Sequence, residues 1–315
     1  MPDDLFKRFR AGTSPDDDSG HDARRAGAIV GENEVLAAIA QLPALSSVVK
    51  RILDTVGHEN SSAADLEALV RQDMVITGKL LKLVNSPFYG LRHPVSSIVQ
   101  AVSIIGFSSL KSLVLAASVS SVLSAELTAY GFTEEGLWKN SIATAHLARE
   151  VARVSDAGKG AEEEWFTAGL MCDVGMLVLG PFLHRSGARL RRGGRESDIL
   201  RRERALTAVD HCWVGDRVAE KWLLPKRLRF SIARHHRIPT DASAEDMREL
   251  AAVRLAERLA YASRIGVVAD HPFDDHIDGT LVHAVGLDGE GFKTLIERVP
   301  AVIAGAESAL VVGDP

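Results

Sequence analysis

The 315-residue sequence predicts an all-α protein, a compact multi-helix bundle, on three observations. From Glu32 onward apolar residues return every three or four positions, as in Leu66, Leu69 and Val70 and again in Leu80, Leu81 and Val84, which is the period of a helix with one buried face. Runs alternating apolar and polar residues, the mark of a half-buried strand, are nearly absent. The residues that start and stop helices stand at the edges of the periodic segments.

Residues 1–28 are rich in Asp, Ser, Gly and Arg and poor in apolar side chains, so they read as a flexible tail. Residues 29–132 form an N-terminal helical half. In it Ser62 caps a helix entered at Ala63, with Asp65 in its first turn, while Gly57, Gly90 and Gly106 mark helix ends. A composition shift at Tyr130 to Thr133 is the expected internal boundary, and residues 133–315 form a second helical half in which Pro225 suits the first turn of a helix.

The balance of 37 basic against 42 acidic side chains, net −5, offers no global field for nucleic acid or anionic lipid. Two cysteines, Cys172 and Cys212, lie inside apolar helical patterns with no disulfide or CxxC framework, which favours a reducing cytoplasm. The N-terminus starts with acidic residues where a signal peptide needs cations, and the most apolar run, Leu113 to Leu123, is too short to span a bilayer. No membrane partner is expected.

The ligand-type residues are concentrated in the second half. Asp173 sits in an apolar helix just ahead of Gly175, where a charge needs a partner. His211 opens a later helix, the adjacent pair His235 and His236 ends the next, and Glu257 lies in a further apolar helix. Such residues on separate helices are how a bundle builds a site between them.

Together these segments resemble the HD superfamily of metal-dependent phosphohydrolases, named for a His-Asp pair followed by a small residue. More specifically they are similar to its HDOD branch, a helical module associated with bacterial signalling. LPALSSVVKRILDTV, then DLEALVRQDMVITGKLLKLVNSPFYG, then SSIVQAVSIIGFSSLKSLVL follow the HDOD pattern in order, with Asn85-Ser86 and Tyr89-Gly90 its most recognisable piece. Glu203 eight residues before His211, Trp222, Leu224-Pro225 and His235-His236 continue it, so the resemblance covers roughly residues 40 to 265. It implies an N-terminal helical subdomain packed on an HD-like one.

The resemblance also implies losses. Cys172 stands where the pair has its histidine, Asn140 stands where an earlier histidine belongs, and Glu257 replaces the last aspartate. His146, six residues after Asn140, is turned about 240° from it on a helix and faces elsewhere. A hard-cation phosphatase site would not choose an amide and a thiol in place of two imidazoles. The expectation is therefore a vestigial set, Asp173, His211, His235, His236 and Glu257, with no cofactor held and a divalent metal as the alternative. In that set Asp173 is a retained structural carboxylate, one of His235 and His236 faces the centre while the other lies at the surface, and Cys172 is a small buried apolar residue.

Two candidate surfaces remain. The arginine-rich stretch from His184 to Arg204, with Arg191 and Arg192, could meet phosphates, but its interleaved carboxylates favour a solvated face, and nucleic acid is not expected. Asn85 to Gly90 reads as a helix-ending turn, with Phe88 and Tyr89 as anchors for a partner in the alternative. The whole reads as a non-enzymatic regulatory module acting on other signalling proteins, or on a small ligand or nucleotide. The alternative is a divergent metal-dependent phosphohydrolase.

Overall fold

The computed structural model describes residues 30–56, 62–190, 197–271 and 277–308, and among them every regular element is helical. In chain order these are α1 (Glu32–Gln41), α2 (Ser47–Val56), α3 (Ala63–Val70), α4 (Met74–Val84), α5 (Ile98–Leu123), α6 (Gly136–Val154) and α7 (Lys159–Met171). They continue as α8 (Met176–Arg185), α9 (Ser197–Thr207), α10 (His211–Lys221), α11 (Lys226–Arg234), α12 (Ala244–Ala262), α13 (Gly279–Ala284) and α14 (Gly289–Ser308). Single 3₁₀ turns lie at Pro87–Tyr89 and Thr128–Tyr130. The expected tail, residues 1–28, lies outside the described residues, as does Gly57.

Local chemistry sets the helix starts. Ser62 and Asp65 form a reciprocal box, each side chain taking the other's backbone N–H, at the head of α3. Asp73, Ser97, Asp210 and Ser243 do the single-sided version for α4, α5, α10 and α12. Pro225 stands one residue earlier than expected, as the cap before α11, because its ψ of 145° is extended. Gly106, at φ 81° and ψ 168°, breaks α5 into two arms. By length and mean hydropathy α5 and the stretch Gly160–Arg185 could each cross a membrane, yet 83% of the second is buried inside the fold.

α6 is the hub. Nearly all of its residues from Gly136 to Ala152 are buried, as a helix surrounded by others must be, and it packs against α7, α12 and α14. In the N-terminal half α2, α3 and α4 lie on α5, whose second arm reaches α7. α10 and α11 form a hairpin resting on α8 and α7, with α1 along the outer side of α10. One contiguous apolar cluster runs through both halves, from Val35 to Ala306. The expected boundary at Tyr130 to Thr133 is tied to the end of α12, where Val268 N–H donates to Gly131 O at 2.9 Å and Thr133 N–H to Gly266 O at 3.1 Å.

Candidate metal centre

Asp173 lies between α7 and α8, in a turn closed by Val174 N–H to Met171 O at 3.1 Å and Met176 N–H to Asp173 O at 2.9 Å. The sequence places it inside a helix. The structure instead tightens the backbone to i→i+3 bonds there, which interrupts the α-helix between α7 and α8. Gly175 follows because α10 passes against it: a Cβ at this position would stand 2.0 Å from His211 O and 2.7 Å from Gly215 N. The small residue after Asp173 thus brings the helix carrying His211 up to the carboxylate.

His211 is the first residue of α10 and is fixed from behind by Glu203 on α9. Its ring Nδ1 lies 2.8 Å from the Glu203 carboxylate, and its backbone N–H donates to the same group at 3.0 Å. The Tyr130 hydroxyl donates to Glu203 as well, at 2.7 Å, so this fully buried carboxylate is satisfied by three donors. Burial opposes a charge on His211, but the adjacent Glu203 carboxylate outweighs it and lifts the imidazole well above its ordinary value of 6.5.

His235 caps the end of α11 and orients its ring by its own helix, with Nδ1 2.8 Å from Ile232 O. Both rings therefore present Nε2 inward, and the two Nε2 atoms are 3.4 Å apart. Asp173 Oδ1 completes the triangle, at 3.5 Å from His211 Nε2 and 3.7 Å from His235 Nε2. The expectation that one of His235 and His236 lies at the surface is corrected: they are 0% and 3% exposed, with ring centroids 4.3 Å apart. The 100° rule assumes a continuing helix, whereas α11 ends at Arg234 and the chain turns there. His236 faces Glu257 at 3.8 Å, and Glu257 is itself held by Arg254 at 2.7 Å.

All five expected residues, Asp173, His211, His235, His236 and Glu257, are thus brought together. A sixth was missed. Cys212 Sγ lies 3.7 Å from His211 Nε2 and 3.9 Å from His235 Nδ1, and burial pushes its thiol up. Cys172 belongs to a neighbouring group with Asp173 and His235, although its thiol donates to Gly169 O at 3.3 Å and packs against Ala168 and Val253. A cysteine directly after a histidine at a capped helix start is the signal that could have marked Cys212.

Fitted against a two-ion hydrolase centre, the residues fall short. Asn140 is 1% exposed and neither atom of its amide finds a hydrogen-bond partner among the described residues, so an amide with no ligand role stands where a two-ion centre needs an imidazole. His146 faces away as expected: its ring stacks on Phe88 with centroids 3.4 Å apart. The remaining donors fit a single borderline ion such as zinc better than magnesium or manganese, because imidazole and thiol outnumber oxygen.

The other candidates separate. Asn85 ends α4 and clamps Val95 with both amide atoms, at 2.7 and 2.8 Å. Phe88 and Tyr89 anchor inward: Phe88 lies on His146 and on Gly305 of α14, and the Tyr89 hydroxyl accepts from Arg149 at 3.2 Å. Arg149, fully buried, stacks on Phe166 and pairs with Glu163 at 2.8 Å, joining the two halves. Arg191 and Arg192 lie outside the described residues.

The HDOD domain family model matches residues 42–238. An HDOD domain protein of unknown function from Geobacter sulfurreducens is similar in structure, with a TM-score of 0.67 and 22% identity over 89% of this chain and 97% of that one. A protein from Shewanella amazonensis SB2B, provisionally named a phosphohydrolase, gives 0.62 and 20% over 87% and 96%. One from Marinobacter aquaeolei VT8, provisionally named for signal transduction, gives 0.63 and 17% over 88% and 65%. At these identities the likeness is one of fold. An uncharacterized protein of Treponema pallidum (strain Nichols) is 24% identical over 203 residues, 64% of this chain, and the chain spans 39% of that relative's length.

Proposed function

Because this chain belongs to the HDOD family, we propose that it is a non-catalytic regulatory module of bacterial signal transduction, cytoplasmic, acting by binding other signalling proteins. One observation carries the reading. Asp173, His211, Cys212, His235, His236 and Glu257 are each at most 4% exposed, and the two missing imidazoles are Asn140 and Cys172. A phosphoester needs an open coordination position and a path to it, and the near-complete burial of all six side chains argues against such a path. A small ligand has a separate place available, a cavity of about 490 Å³ beside the start of α10 lined by Arg204, Trp213 and Arg237 among others.

The convergence of three ligand atoms favours a second reading, a divergent metal-dependent phosphohydrolase. Asp173, His211 and His235 would hold its ion, which would supply Lewis acidity toward a phosphate oxygen. A panel of phosphomonoesters and phosphodiesters, assayed with manganese, iron(II) or zinc, separates the two. The expected result is no turnover that distinguishes wild type from Asp173→Ala. Metal-dependent turnover abolished by that substitution would overturn the regulatory reading.

A further inference from the structure

The geometry points to a closed, thiolate-containing zinc site in which Cys212 joins His211, His235 and His236, so that the ion here is structural and has no water to activate. The four side chains offer ligand atoms that all lie within 4.8 Å of one another, and all four are buried. Around an ion bound at about 2.0–2.1 Å by nitrogen, tetrahedral geometry spaces ligand nitrogens about 3.4 Å apart. His211 Nε2 and His235 Nε2 are 3.4 Å apart. With sulfur bound at about 2.3 Å, the nitrogen–sulfur edge becomes about 3.6 Å. Cys212 Sγ and His211 Nε2 are 3.7 Å apart.

The surrounding groups are those that zinc ligands require. Glu203 behind His211 and Ile232 O behind His235 take the Nδ1 protons, which fixes the tautomer and turns Nε2 inward. On ligation Cys212 Sγ and His211 Nε2 give up their protons to solvent, and the thiolate together with the Asp173 carboxylate, 3.5 Å from His211 Nε2, offsets the charge of the dication. Four protein ligands leave no open position, which is the arrangement of a structural rather than a catalytic zinc. The site rests on the regulatory reading only in that point, and its failure would be visible separately from any hydrolase result.

Full-length protein purified without chelator is expected to carry one zinc per chain, whose X-ray absorption shows one sulfur neighbour and nitrogen neighbours. Cobalt(II) exchanged for the zinc is expected to give a thiolate-to-metal charge-transfer band, lost in Cys212→Ser and kept in Cys172→Ser. Absence of zinc, a shell without sulfur, or a band that follows Cys172 would overturn the site. The absorption measurement on wild type decides even if Cys212→Ser does not fold.

Discussion

The ring of His211 and the carboxylate of Glu203 face each other at 2.8 Å in an environment from which both are fully excluded from water. Tyr130 and the His211 backbone N–H complete the set, so α9, α10 and the turn before α6 are locked at one carboxylate.

Removing it leaves three donors without an acceptor. Glu203→Ala is expected to destabilise the protein by about 3–5 kcal/mol, the range for breaking a buried pair. Tyr130→Phe, which deletes one neutral donor, should cost about 1 kcal/mol. Urea unfolding of the two variants tests the ranking, and equal effects would mean that Glu203 is not the shared acceptor.

Gly175→Ala places a methyl group 2.0 Å from His211 O, a backbone atom that cannot swing aside. α8 and α10 must move apart, at a cost of about 3 kcal/mol, the upper end for overpacking. Thermal unfolding should show a lower midpoint. An unchanged midpoint would show that the helices have room the structure does not give them.

Phe88 distinguishes an internal joint from an exposed anchor. Its ring packs on His146 and Arg149 and against Gly305 while part of it stays accessible. Phe88→Ala should therefore cost about 2 kcal/mol, less than the full-burial value. A surface anchor for a partner would change stability by no more than about 0.5 kcal/mol.

His146 predicts a pH dependence. Burial, reinforced by Arg149 and Arg153, holds its pKa well below 6.5, so the folded protein keeps the ring neutral. The unfolded chain binds a proton as pH falls through about 6.5, and stability then falls with pH by up to about 1.4 kcal/mol per unit. Urea midpoints at pH 7.5 and 5.5 should drop further for wild type than for His146→Phe. Identical drops would assign the acid sensitivity to other groups.

The helices, the Ser62 cap and the convergence of Asp173 with His211 were legible because each rests on local periodicity or on a spaced motif. Three features were not. Both histidines at 235 and 236 point inward because α11 stops, and wheel geometry stops with it. Arg149 lies three residues after His146 on a helix buried all round, where amphipathic logic sends an arginine to solvent. The grip of Tyr130 on Glu203 spans 73 residues, beyond any local pattern.

α14 under Phe88 has a practical meaning for anyone shortening the chain. The recognisable family segment, residues 42–238, ends before Arg254 and Glu257 and before Gly305. It also begins after Val30, whose N–H donates to Leu206 O, and after Ala40, whose carbonyl accepts from Lys221. A fragment cut at those limits would retain all three clustered histidines, yet it would lose the carboxylate opposite His236 and uncover the apolar floor beneath Phe88. A fragment limited to residues 42–238 is therefore expected to be less stable than one that keeps α1, α12 and α14.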